Sequence, residues 1–224
     1  MKYILLYDDT NYTIFLQNLI SSICKYSDFK IVVFNKRDIE PEFIINNQKC
    51  LNKTRGGGYW LWKPYIINET LNKIKDGDLL FYLDAKYYFT EPFTALYENN
   101  LEQDIIVWKN KPNESTNLMK YWCKMDVIVK YNMVDQVFNK NINDCWAGAI
   151  IMKKTQRVVS FMKEWLDMCC IYENITDSPS IIPNDRQFRD HRHDQSLLSI
   201  MLHKYNINLL FFENRYLQNV RIPW

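Results

Sequence analysis

The sequence predicts an α/β fold in which helices flank a mostly parallel central sheet, and three observations carry that prediction. The first is a strand, helix, strand succession over residues 2–35, the spacing of a βαβ unit. The second is the apolar run 79–82, which ends in a carboxylate at Asp84 and reads as a buried strand carrying an acid at its C-terminal end, where open α/β sheets place their ligands. The third is that no repeat, low-complexity tract or Gly/Ser linker interrupts the chain, so residues 1–224 read as one domain with one sizeable core.

Composition narrows the function classes. Hydrophobic residues make up 47% of the chain and aromatics 15%, enough for a packed core. The 28 basic and 26 acidic residues are interspersed and sum to +2, so nucleic-acid binding is not suggested. The six cysteines form no Cys-x-x-Cys pair and have no histidine at zinc-ligand spacing; a reduced, cytoplasmic chain is expected. The apolar start is cut off by Asp8 and Asp9, too early for a signal segment or a membrane span. Asn-x-Ser/Thr triplets such as 52–54 and 174–176 read as coincidence in an Asn-rich chain.

Taken in order, residues 2–7 form the first expected strand, 12–25 an amphipathic helix through Ile14, Leu16, Leu19, Ile20 and Ile23, and 30–35 the second strand. Because such a unit holds nucleotides at its strand ends, Tyr7, Asp8 and Asp9 are candidates for a base or ribose; each reads equally well as part of a solvated turn. Residues 37–52 are a connection. The chain has only five glycines, and three stand together at Gly56, Gly57 and Gly58, where close approach of a ligand to backbone, or positive φ, is expected. Tyr59, Trp60 and Trp62 follow, as a flat platform for a ring or as core. A helix over 64–75, with Pro64 at its first position, puts Lys63 and free backbone N–H groups at an anion site.

The strand 78–84 ends at Asp84, a carboxylate able to hold a divalent metal that bridges a diphosphate, followed by Ala85 and Lys86. A short strand is expected at 105–108, a helix starting at Asp126, and a strand over 144–152 whose Gly148 suits close backbone approach. Thr155 caps a helix over 155–172. The polar loop 177–189 is a functional flap or a surface excursion. In Asp190-His191-Arg192-His193-Asp194-Gln195, two histidines and two aspartates make a metal site or an acid/base group, or Asp194 is an ordinary helix N-cap. A closing strand at 207–212 and a tail at 219–224 complete the chain.

The segments Arg-Gly-Gly-Gly-Tyr-Trp-Leu-Trp-Lys-Pro-Tyr-Ile-Ile at 55–67, Gly-Asp-Leu-Leu-Phe-Tyr-Leu-Asp-Ala at 77–85 and His-Arg-His-Asp-Gln-Ser-Leu-Leu-Ser at 191–199 resemble a family of small glycosyltransferases with the GT-A fold, a Rossmann-like α/β arrangement. The resemblance spans nearly the whole chain in order. It implies transfer of a sugar from a nucleotide diphosphate donor, UDP-linked for choice, to a glycan or glycoconjugate acceptor, assisted by Mn²⁺ or Mg²⁺. It makes Asp84 the metal ligand, first acid of an Asp-x-Asp motif whose third position here is Lys86. Trp146, Ala147 and Gly148 are similar to the small-residue strand that lines the donor sugar or the acceptor in glycogenin-like transferases. Asp194 and Gln195 are similar to an Asp-Gln pair beside the sugar, Asp194 as the base for an inverting reaction or as a group that orients the sugar, Gln195 or the leaving phosphate mattering more for a retaining one. Arg55, Lys63, Gly57, Gly58, Trp60, Ala85, Lys86 and His193 complete the implied donor-binding set. The alternative is a sugar-nucleotide-binding or scaffolding protein of the same fold whose catalysis has lapsed. A nucleotidyltransferase would want a glycine-rich basic loop after the first strand, and none stands there.

Overall fold

Apolar residues in β1 (Lys2–Asp8) and β3 (Leu79–Leu83) alternate between two sheet faces, because successive side chains in a strand point to opposite sides. Leu5, Leu80 and Tyr82 enter one core; Ile4, Leu6, Phe81 and Leu83 enter the other. Both faces are covered, which is why these strands read as unbroken apolar runs. The computed structural model describes residues 1–9, 13–98, 100, 102–109, 117–211 and 216–219. Tyr12, Phe212 and the tail 220–224 fall outside them.

In chain order the remaining strands are β2 (Lys30–Asn35), β4 (Tyr87–Phe89), β5 (Ile105–Lys109), β6 (Trp146–Lys153), β7 (Leu210–Phe211) and β8 (Leu217–Asn219). The main sheet has the order β2-β1-β3-β6-β5-β7. Every strand in it runs the same way except β6, which is antiparallel to both neighbours, so the sheet is mostly parallel. β4 and β8 pair separately. On one face lies the helix Thr13–Tyr26, buried through Leu16, Leu19 and Ile23. On the other lie the helices Trp62–Lys73, Gln156–Cys170 and Asp194–Lys204. Thr155 caps the second of these by accepting from the Val158 N–H at 3.3 Å. No helix among the described residues is long and apolar enough to cross a membrane.

Several boundaries differ from the sequence expectation. The 37–52 connection holds short helices at Pro41–Asn46 and Gln48–Leu51. The helix expected at 64–75 is Trp62–Lys73; Pro64 occupies its third position, still within the first turn, where its missing N–H has no intrahelical carbonyl to lose. The helix expected over 155–172 breaks at Ile171, whose backbone is extended. Asp194 is the first helical residue, and His193 holds the cap position without a side-chain cap bond.

Candidate active site

The glycine triplet builds a left-handed turn. Gly56, Gly57, Gly58, Tyr59 and Trp60 follow one another at φ of 57°, 57°, 100°, 55° and 59°. Left-handed helical backbone costs an L-residue about 1–2 kcal/mol, so three glycines relieve most of the turn and Tyr59 and Trp60 bear the rest. The amides are spent inside it: Gly57 N–H donates to the Thr54 carbonyl at 3.0 Å, Gly58 and Tyr59 N–H to the Arg55 carbonyl at 3.2 and 2.7 Å, and Trp60 N–H to the Gly56 carbonyl at 3.1 Å. The turn therefore shapes a wall, and the positive φ expected of the glycines is present at all three. A Cβ on Gly56 would stand 2.4 Å from the Trp60 ring, and one on Gly58 2.7 Å from the Leu51 Cα.

That wall faces the C-terminal ends of β1 and β3 across a cleft of about 310 Å³. The cleft is lined by Tyr7 and Asp9 from the end of β1, Thr54, Gly56, Gly57, Trp60 and Trp62 from the turn and the helix after it, and Tyr82, Asp84, Ala85 and Lys86 from the end of β3. The Tyr7 and Trp62 rings stack at 3.8 Å and 12°, and Trp62 Nε1 donates to the Gly56 carbonyl at 3.0 Å, tying the aromatic pair to the turn. Burial, then the charges of Asp9, Asp38 and Asp8, push the Tyr7 phenol up to about 12, so it remains a hydrogen-bond donor at neutral pH.

Beneath the cleft, Lys63 joins four elements. Its Nζ lies 2.8 Å from Asp194 Oδ2, 3.8 Å from Asp84 Oδ1 and 3.3 Å from the Ala147 carbonyl, with its side chain 5% exposed. Burial opposes its charge, but Asp194 and then Asp84 outweigh it, so its pKa lies above the ordinary lysine value. Burial raises Asp194 to about 6 against the pull of Lys63. Asp84, just past β3, accepts from the Tyr82 hydroxyl at 2.7 Å, has Lys86 Nζ 3.5 Å from its Oδ2, and donates its N–H to the Gly148 carbonyl at 2.9 Å. A Cβ on Gly148 would come 2.4 Å from Trp146 Nε1 and 3.0 Å from Asp84 Oδ2, so this glycine holds β6 against the acid.

Gln195 is clamped below the same point. Its Nε2 donates to Asp144 Oδ2 and its Oε1 accepts from the Ala147 N–H at 3.3 Å; Ser199 donates to the other Asp144 oxygen at 2.7 Å. Burial raises Asp144 to about 6, while the Ser199 and Gln195 bonds favour the charged form.

The structure thus brings Tyr7, Asp9, Gly57, Trp60, Asp84, Ala85 and Lys86 to one cleft. Lys63, Asp194, Gln195, Ala147, Gly148 and Trp146 form the layer under or beside it. Asp8 accepts from the Thr13 hydroxyl at 3.2 Å instead. Arg55 turns away, its guanidinium paired with Asp177 and Asp190 of the 177–189 loop region, so the cation expected at the leaving group is engaged elsewhere. Gly58 packs on Leu51. His193 lies behind the wall, its ring 5.4 Å from that of Trp60 and its Nδ1 2.7 Å from the Ile175 carbonyl. Sequence reasoning passed over Thr54, Tyr82 and Asp144 as site residues. A tyrosine two residues before Asp84 was a legible signal for Tyr82; Thr54 and Asp144 left none.

The resemblance implies a divalent ion at Asp84, and the residues present do not fit one. Each Asp84 oxygen faces a cation, Lys63 or Lys86, and Lys86 stands where a second acid would complete the ligand pair. Among the described residues, no group of three or more His, Cys, Asp or Glu side chains is arranged to hold a metal.

No known family profile and no curated protein matches the chain. Solved structures do. The glycosyltransferase GlyE of Streptococcus pneumoniae superposes at a TM-score of 0.50 with 14% identity, over 95% of this chain and 45% of that one. The bifunctional glycosyltransferase WbbM superposes at 0.54 with 12% identity, over 95% and 38%. Mouse xyloside xylosyltransferase 1 superposes at 0.50 with 9% identity, over 96% and 86%. The chain spans under half the length of the first two. At these identities the likeness is one of fold: the chain has a single α/β domain with the fold seen in these solved glycosyltransferases.

Proposed function

We propose that the chain is a glycosyltransferase that takes a sugar from a nucleoside diphosphate donor, with UDP-sugars the first to test, and passes it to a hydroxyl of a glycan or glycoconjugate. The observation that carries the reading is the cleft itself. It opens at the C-terminal ends of the parallel neighbours β1 and β3, and its lining combines a stacked aromatic pair with Asp9, Asp84 and Lys86. Ligands of open α/β sheets sit at this position, and about 310 Å³ lies at the lower end of ligand-site volumes. Base and ribose are read against Tyr7, Trp62 and Asp9, and the diphosphate against Lys86.

In the transfer, the bond from the sugar C1 to the diphosphate oxygen breaks with its electron pair on the diphosphate, and the acceptor oxygen bonds C1. The acceptor proton then needs a base. Asp194 is 4% exposed and held by Lys63, so we assign the proton to the departing diphosphate oxygen and give Asp194 and Gln195 positioning roles. The test incubates the protein with a panel of nucleotide sugars and follows nucleoside diphosphate release by mass spectrometry. Turnover of one donor, lost in Asp84→Ala, is the expected result. Binding without turnover of any donor favours the lapsed sugar-nucleotide-binding protein, a reading motivated by Lys86 at the motif's second acid position. A panel in which nothing binds refutes both.

A further inference from the structure

We propose that Lys86 does the work of the divalent ion: its ammonium group binds the donor diphosphate and takes up the charge that develops there, so that donor binding needs no metal. The proposal rests on the transferase reading and goes one step past it. Among the described lining residues of the cleft, Lys86 is the cation. Its side chain lines the cleft and is 43% exposed, and its Nζ stands 3.5 Å from Asp84 Oδ2 and 5.2 Å from the centre of the Tyr87 ring, so the ammonium is anchored at the cleft wall while the side chain keeps access to solvent. Burial works against its charge, but Asp84 and then Tyr87 outweigh that and keep its pKa above the ordinary lysine value, so it is protonated at neutral pH.

Two further observations narrow the choice. Four successive amides of the glycine turn, those of Gly57, Gly58, Tyr59 and Trp60, are already bonded within it and do not form a backbone cradle for the diphosphate. Lys63, the other nearby cation, is 5% exposed and committed to Asp194 at 2.8 Å, which makes it a fixed charge behind Asp84 rather than a ligand for the donor. As the C1–O bond breaks, its electron pair adds one negative charge to the terminal diphosphate oxygen. A positioned ammonium opposes that charge as a metal would. The step consumes no co-reactant beyond donor and acceptor.

The test is calorimetric titration of UDP, GDP, CDP and ADP, and of the matching nucleosides, in EDTA and in Mn²⁺, on the wild type, Lys86→Ala and Lys86→Arg, with thermal melts to establish that the variants are folded. The tightest diphosphate is expected to bind the wild type equally, within about twofold, in the two conditions. Lys86→Ala is expected to weaken it roughly tenfold or more, the scale of one hydrogen bond to a charged group, with nucleoside affinity unchanged and Lys86→Arg retaining most of the binding. Wild-type binding that depends on Mn²⁺ overturns the proposal and leaves the transferase reading standing. So does Lys86→Ala binding the diphosphate as tightly as the wild type. Failure of every nucleoside diphosphate to bind in either condition overturns the transferase reading, and this proposal with it.

Discussion

Replacing Lys63 with methionine keeps most of the side-chain length and removes one charge from the layer under the cleft. Asp84 would retain the Tyr82 hydroxyl at 2.7 Å and Lys86 at 3.5 Å, so the loss concentrates on Asp194, which is 4% exposed and has Lys63 Nζ at 2.8 Å. Removing one partner of a buried ion pair costs about 3–5 kcal/mol, because the other is left charged and desolvated. At about 2–4 °C per kcal/mol for a domain of this size, the melting temperature should fall by roughly 6–20 °C. The sign with pH follows from Asp194. Its folded pKa, already about 6 through burial, would rise further without the lysine and stand above the unfolded value of 3.8. The folded state then holds a proton that the unfolded state has released, so stability falls as pH rises through that window. The deficit should be large at pH 8 and shrink at pH 5. Urea melts followed by the fluorescence of the seven tryptophans measure it, and Asp194→Asn on the Lys63→Met background should recover most of the loss. A deficit under about 1 kcal/mol at pH 8, set against the cost above, or one that does not shrink on acidification, refutes the reasoning.

The glycine turn makes a graded prediction for urea melts. Gly57→Ala meets only the Trp62 ring at 3.6 Å and should lose about 1–2 kcal/mol for its left-handed backbone. Gly58→Ala, with φ of +100° and a Cβ 2.7 Å from the Leu51 Cα, should lose more than that; equal losses count against the assigned packing. His191, held at about 3 by burial and by His193 and Lys124, is neutral in the fold, so its contribution is present above pH 6.5 and is lost as pH falls from there toward 3. His191→Asn should flatten the stability–pH curve near pH 5 by up to about 1.4 kcal/mol per pH unit; an unchanged slope excludes the neutral state. Gln195→Ala leaves Asp144 Oδ2 and the Ala147 N–H unpaired and should cost about 1–3 kcal/mol in denaturation. Gln195→Glu should cost more, since it sets a second carboxylate against buried Asp144; a milder effect than alanine argues against the clamp.

The sequence by itself determined the six strands of the main sheet along the chain, the α/β class and the two segments that meet at the cleft, but not the separate β4–β8 pair. Apolar runs flanked by polar turns mark strands buried on both faces, and a cluster of three scarce glycines marks backbone that must take positive φ; both are local constraints, written in adjacent residues. What only the tertiary structure decided is where charges find partners. Arg55 and Lys63 look alike as cations beside the glycines, yet one is drawn out to Asp177 and Asp190 and the other inward to Asp194, acids more than a hundred residues away along the chain. Asp194 reads locally as a helix cap, but the helix begins one residue sooner and its carboxylate is turned to Lys63. Ion pairing in a low-dielectric interior depends on distances between distant segments, and no spacing along the chain encodes them.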